Sequence, residues 1–370
     1  MLTHEGAPSI HFSLRRQSRR SQQKGLDLVS SPHFALASER RAPTALLVIP
    51  GRTNYFYNLY GQWMAEALRA VGVRVDCVEL SEVPARTYDV AILSNLAEIE
   101  YVVGEEMCQT RLAGLRQRVG TVVNFTAECL QTRWFHANLA LSVKSGIAVI
   151  LDVGFLRQDP TPVESAGLRY HFAFDGLLGS QVSAGGGPQE NQGCRTIPWA
   201  VIGAHSQRRV ELADRLLAGV SPQGVIYLPE LSPVTSKGSA HLNQGHIDRI
   251  LRKTEYYVWG SHHDHFYVES LRFRMAYLAG CVPIKVVPEG ERLPDDLPMR
   301  PSVLPEEEMV DYLRDMPFAE ARRVFREEYE GRPRLEEGLA SLLQFVGLPI
   351  PNNSRRECMP RFANQPAGRH

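Results

Sequence analysis

Tyr256–Val287 reads YYVWGSHHDHFYVESLRFRMAYLAGCVPIKVV, and its pattern predicts strand, loop, helix, strand. Tyr256 to Trp259 is a short apolar β-type segment, and Gly260 to His265 is a polar turn. A helix is expected from about Tyr267 to Leu278, with Leu271, Met275 and Leu278 spaced four and three apart on one face. Glu269 then falls in the first helical turn, where a carboxylate meets the positive end of the dipole. Gly280 has the place of a C′ glycine, and Val282 to Val287 forms the next strand. This is half of a doubly wound sheet, and its loop lies at the carboxyl end of the strand, where such folds bind ligands.

The rest of the chain extends the pattern. At 370 residues it is long for one core and fits two domains. A hydrophobic content of 44% with 22% charged residues is that of a folded globular chain, and zero formal net charge gives no global pull toward nucleic acid or anionic lipid. No apolar run reaches the ~20 residues of a membrane-spanning helix, and the N-terminus lacks a secretory h-region, so a cytoplasmic protein is expected. The six cysteines are scattered without a C-x-x-C, which reads as free thiols in a reducing compartment.

Residues 1–42 carry the patch Arg15-Arg16-Gln17-Ser18-Arg19-Arg20 without aromatic interleaving, so a solvated, disordered basic arm is expected there. Buried-strand runs follow at Ala45 to Ile49, Val73 to Leu80, Tyr88 to Ser94, Thr121 to Phe125 and Ile147 to Leu151, with helices at about 59–71 and 105–118. Alternation of this kind predicts an α/β protein with a parallel sheet over residues 43–180. Residues 181–194, with three consecutive glycines, read as a linker, and a second α/β domain follows at 195–348. Residues 349–370 read as a disordered tail.

The turn Pro50-Gly51-Arg52-Thr53-Asn54 is no G-x-G-x-x-G, and neither a P-loop nor a G-x-S-x-G elbow occurs. Dinucleotide-linked hydride transfer, P-loop NTPase and serine hydrolase chemistry are therefore disfavoured. His262-His263-Asp264-His265 offers metal-competent groups, but four consecutive side chains diverge, so no metal site is assigned.

Residues 256–287, ending Ala279-Gly280-Cys281-Val282-Pro283-Ile284, resemble the donor-binding segment of GT-B glycosyltransferases. Trp199 to Arg209, a strand followed by Gly203, polar residues and two arginines before a helix, resembles the start of the donor domain in that family. Residues 151–180 resemble the end of the first domain in glycosyltransferases of the group 1 and spore-maturation type. The resemblance implies a GT-B fold, two Rossmann-like domains facing each other across a cleft. It implies a metal-independent hexosyl- or glycosyltransferase, with a nucleotide-sugar as co-substrate and no other cofactor. The acceptor, whether sugar, small molecule or protein, stays open.

Carried over onto this chain, the resemblance places Gly203, Arg208 and Arg209 by the diphosphate, since glycine permits close approach and cations offset its charge. Ser261, His262 and His263 line the donor pocket, Glu269 accepts a hydrogen bond from a ribose or sugar hydroxyl, and Arg272 neutralises phosphate. Retaining GT-B enzymes often carry a second glutamate eight positions on; here that position is Tyr277. An inverting reaction needs a base from the first domain, for which Glu128, His136 and Asp152 are the candidates. A catalytically inactive binding protein of the same fold, or a nucleotide-sugar epimerase, is the alternative.

Overall fold

The computed structural model describes residues 41–51, 55–183, 195–230, 242–261 and 265–350. The expected basic arm, most of the linker, nearly all of the tail, and His262, His263 and Asp264 lie outside them. Two all-parallel sheets form, each alternating with helices. The first lobe runs β1 (Thr44–Ile49), α1 (Tyr55–Ala70), β2 (Arg74–Glu79), β3 (Tyr88–Ser94), α2 (Leu96–Val103), α3 (Glu105–Arg116), β4 (Val119–Thr126) and α4 (Arg133–Lys144). It continues with β5 (Val149–Gly154), α5 (Thr161–Ser165), β6 (Arg169–Phe174) and α6 (Gly179–Ser183). The second lobe runs β7 (Ile197–Ile202), α7 (Gln207–Gly219), β8 (Gly224–Tyr227), α8 (Gln244–Leu251), β9 (Thr254–Gly260), α9 (Ser270–Ala279) and β10 (Val282–Val287). After β11 (Val303–Pro305) come α10 (Met309–Asp315), α11 (Phe318–Glu330) and α12 (Leu335–Phe345).

The strand orders are β2-β1-β3-β4-β5-β6 and β11-β10-β9-β7-β8. Read from its own first strand, the first sheet follows the order 2-1-3-4-5-6 and the second 2-1-3-4-5, and each reverses direction between its first and third strands. The switch points therefore lie between β1 and β3 in the first lobe and between β7 and β9 in the second. The two Rossmann-like domains of the GT-B expectation are what the chain forms.

Several details differ from the sequence pattern for local reasons. A helix precedes the expected one between β3 and β4, because Asn95, at φ 65°, accepts from the Ala97 and Glu98 amides and starts α2, which ends at Gly104. Strand β5 extends to Gly154, three residues past its expected end, so Asp152 lies inside the strand with Phe172 and Thr126 as register partners. Helix α9 starts at Ser270, and Gly280 closes it in the left-handed conformation, as its position predicts.

The single apolar face expected of that helix is instead a helix buried nearly all round. Phe273, Arg274, Ala276 and Tyr277 are all buried, and Leu271 and Leu278 pack against the cores of both lobes. It is the element on which the lobes meet. Helix α12, last in sequence, returns to the first lobe, where Leu335, Leu339, Leu342 and Leu343 join the core built by α1 and the first sheet.

Candidate active site between the lobes

At the carboxyl ends of β7 and β9, beside the middle of β10, the second lobe gathers four charged side chains, Arg209, Glu269, Arg272 and Lys285. Glu269, the residue before α9, makes no side-chain cap to its own helix. Its Oε2 accepts instead from Lys285 Nζ at 2.7 Å and Trp259 Nε1 at 3.0 Å. Lys285 comes from the middle of β10, is 1% exposed, and also donates to Ser261 Oγ at 2.6 Å. Burial alone would push the Glu269 carboxyl up, but Lys285 and then Arg272 outweigh it and hold its pKa at about 2. Burial, only partly offset by Glu269, pushes Lys285 below its ordinary value.

The arginines divide their roles. Arg209 is buried, donating from Nε to Gly260 O at 3.0 Å and from Nη1 to Ala204 O at 2.7 Å. It staples the start of α7 to the end of β9, and burial, with Arg272 beside it, pushes it down to about 10. Arg272 donates to Ile202 O at 2.7 Å and to the Tyr257 hydroxyl, and its guanidinium lies over the Tyr257 and Trp259 rings. Arg208 is half-buried, with its aliphatic stem about 4 Å from where a Cβ on Gly260 would stand. Gly203 donates its own N–H to Tyr227 O at 3.0 Å. The space its missing Cβ leaves is taken by guanidiniums: a Cβ there would come within 2.7 Å of Arg209 and 3.0 Å of Arg272. Ser206 caps α7 through its hydroxyl, and the first-turn amides of this 13-residue helix face the same edge. Three cations around one carboxylate, beside a helix N-terminus, make a net positive niche at the switch point.

The first lobe faces it with carboxyls. Glu128, just past β4, accepts from the Tyr57 hydroxyl at 2.7 Å. Burial of the carboxyl, opposed by that bond and reinforced by Glu98 and by Glu269 of the other lobe, pushes Glu128 up to about 7. The residue as a whole is half-buried, less enclosed than Asp152. Asp152 is also raised to about 7 by burial, against bonds from Tyr170 and Gln158, but it is fully enclosed, with Tyr170 Oη 2.6 Å away. His136 stands exposed on α4 and joins neither group.

Tyr267 ties the two sides, donating from its hydroxyl to Ala127 O at 2.7 Å, one residue before Glu128. Beside it opens a cavity of about 210 Å³ whose lining includes Cys129, Leu156 and Gln158 of the first lobe and Phe266 and Tyr267 of the second. The four described cysteines are free, three of them buried. Among the described residues no group of three or more His, Cys, Asp or Glu is placed to hold a metal ion, and no helix is long and apolar enough to cross a membrane.

Of the residues singled out in the sequence, Gly203, Arg209, Ser261, Glu269 and Arg272 converge on one niche, with Glu128 opposite. Lys285 and Trp259, which hold Glu269, were not singled out. The only signal of Lys285 is a charged residue in the otherwise apolar run Val-Pro-Ile-Lys-Val-Val.

No protein-family model matches the chain, and no curated protein does. Solved structures that resemble it include glycosyltransferases. The DNA-modifying enzyme β-glucosyltransferase, solved with and without uridine diphosphoglucose, is 9% identical with a TM-score of 0.48, over 82% of this chain and 100% of that one. An α-glucosyltransferase in complex with UDP and DNA is 10% identical with a TM-score of 0.46, over 82% of this chain and 98% of that one. SnogD, a glycosyltransferase from Streptomyces nogalater, is 13% identical with a TM-score of 0.38, over 83% of this chain and 100% of that one.

Proposed function

We propose that the chain transfers a sugar from a nucleotide-sugar to an acceptor hydroxyl in the cleft between its lobes. The observation that carries this reading is the pairing of environments across the gap. A carboxyl tuned to about 7 on the first lobe lies within electrostatic reach of a cation-rich niche on the second. That division suits displacement at an anomeric carbon. Arg208, Arg272 and the α7 amides hold the diphosphate, and Glu269 accepts from a donor hydroxyl. Glu128 removes the acceptor proton as the new C–O bond forms. The bond from the anomeric carbon to the phosphate oxygen breaks, and its electron pair leaves on the diphosphate, where the cations offset the charge. With a base on one side and the leaving group on the other, the expected outcome is inversion.

A panel of nucleotide-sugars, each incubated with the protein and cell extract and followed by release of nucleoside diphosphate, tests the reading. Glu128→Gln should lower turnover by about 10²–10⁴-fold while donor affinity holds. Undiminished turnover in that variant would remove Glu128 from the mechanism.

A further inference from the structure

Among the described residues, every hydrogen bond that Glu269 receives falls on one of its two oxygens. Lys285 Nζ and Trp259 Nε1 both donate to Oε2. Oε1 is buried and has no hydrogen-bond partner among the described residues. A buried carboxylate oxygen without a donor costs free energy, and a fold keeps such an atom at a place where something else supplies the bond. Lys285 cannot swing to cover it. Its ammonium is enclosed, and its second bond, to Ser261 Oγ at 2.6 Å, anchors it to the end of β9.

We infer that Lys285 is a positioning residue: together with Trp259 it occupies Oε2 and presents Oε1 as a single acceptor for a hydroxyl of the nucleotide-sugar, without itself touching the diphosphate. The identity of that hydroxyl rests on the transferase reading above; the arrangement of the pair does not. Three features separate this role from that of one more phosphate-binding cation. Lys285 is more deeply buried than Glu269, its side chain 1% exposed against 16%. Its described bonds go to Glu269 and Ser261. The indole that shares Oε2 carries no charge and would be of little use to a phosphate.

Among the described residues, the titratable groups that act on Glu269 or are acted on by it are Lys285 from β10, Arg272 from α9, Arg209 from α7, Tyr267 from the loop before α9, and Glu128 and Cys129 from the first lobe. With Lys285 present, Glu269 stays ionised across the working pH range, so Oε1 is always an acceptor. Without it, a buried carboxyl gains a proton more readily and ceases to be a reliable one.

The indole N–H of Trp259 reports this directly. In ¹⁵N-tryptophan-labelled protein, with the resonance assigned by Trp259→Phe and with Glu128→Gln and Asp152→Asn as background so that neither first-lobe carboxyl can contribute, the signal should stay fixed from pH 8 to pH 5. With Lys285→Met added it should titrate within that window. In the Glu269→Gln/Lys285→Met double variant, which removes both charges together and so avoids a lone buried ion, it should again be fixed. The arm that keeps Lys285 does not depend on the Lys285 variants folding: movement above pH 5 there overturns the inference, as does a fixed signal in folded Lys285→Met.

Affinity then separates positioning from plain charge. Lys285→Met should weaken binding of uridine, guanosine or adenosine 5′-diphosphate by 10-fold or more at pH 5.5 and leave inorganic pyrophosphate unaffected. Equal loss for pyrophosphate would make Lys285 a phosphate ligand and overturn the inference. Failure of every nucleotide to bind would sink the transferase reading, while the indole titration still decides the role of Lys285.

Discussion

Arg274 of α9 and Asp175, just past β6, form an ion pair across the two lobes with no solvent exposure on either side chain. Around it, Tyr60 of α1 donates to Asp175 Oδ2 at 2.6 Å, and Tyr329 of α11 donates to Asp175 O at 2.9 Å. The Arg274 guanidinium lies 4.5 Å from the centre of the Trp63 ring. The helix that follows Glu269 is thus locked to the first lobe by its own second turn, and Tyr60 Oη reaches Ser270 Oγ at 3.2 Å.

Removing one partner of such a pair leaves the other as an uncompensated buried charge. Asp175→Asn should therefore destabilise the fold by about 3–5 kcal/mol. Glu320→Ala, which breaks an exposed pair with Arg323 on α11, should leave the denaturation midpoint where it is. Urea titrations of the two variants check the contrast; equal effects would mean the lobes are not held through Asp175.

Gly176 lies under the connection between α11 and α12, where a Cβ would stand 1.7 Å from Pro333 O. Backbone cannot give way as a side chain can, so Gly176→Ala should cost at least about 1–3 kcal/mol, the range for overpacking. Gly114, inside α3, has nothing within 4 Å of its would-be Cβ, and Gly114→Ala should stabilise by about 0.5–1 kcal/mol. Thermal melts of both variants give the two signs; a neutral Gly176→Ala would contradict the close approach of α12 to the first lobe.

These features show what the sequence could and could not convey. Parallel strands such as Tyr88–Ser94 and Val282–Val287 were legible to the residue, because a strand buried on both faces reads as a nearly continuous apolar run, here interrupted only by Asp89 and Lys285, with Ser94 closing the first. That Glu269 and Arg272 stand where the loop after β9 passes into a helix was legible from the strand, loop and helix pattern of residues 256–287. The partner of Glu269 was not, since Lys285 is sixteen residues on in the next strand and only sheet register brings the two together. The return of α12 to the first core was equally hidden: its Leu335, Leu339 and Leu342 stripe says that a face is buried, not which lobe buries it.

Glu128 and Asp152 both bind their protons more tightly in the folded chain than in the unfolded one, each raised to about 7. Their contribution to stability is present below the ordinary carboxyl range, near pH 4, and is lost as pH rises through about 7. Asp152→Asn should therefore flatten the fall in stability between about pH 4 and pH 7. Chemical denaturation at pH 4.5, 6 and 8 checks the sign; an unchanged slope would mean that Asp152 is ionised throughout.

The most direct test of the cleft is a structure of the protein with a nucleoside diphosphate, screened from the uridine, guanosine, adenosine and cytidine forms. The diphosphate should lie beside Arg208, Arg272 and the first turn of α7, with a ligand hydroxyl about 2.7 Å from Glu269 Oε1 and Glu128 on the opposite side. A nucleotide bound away from the β7–β9 switch point, or one that leaves Glu269 Oε1 unbonded, would contradict this arrangement.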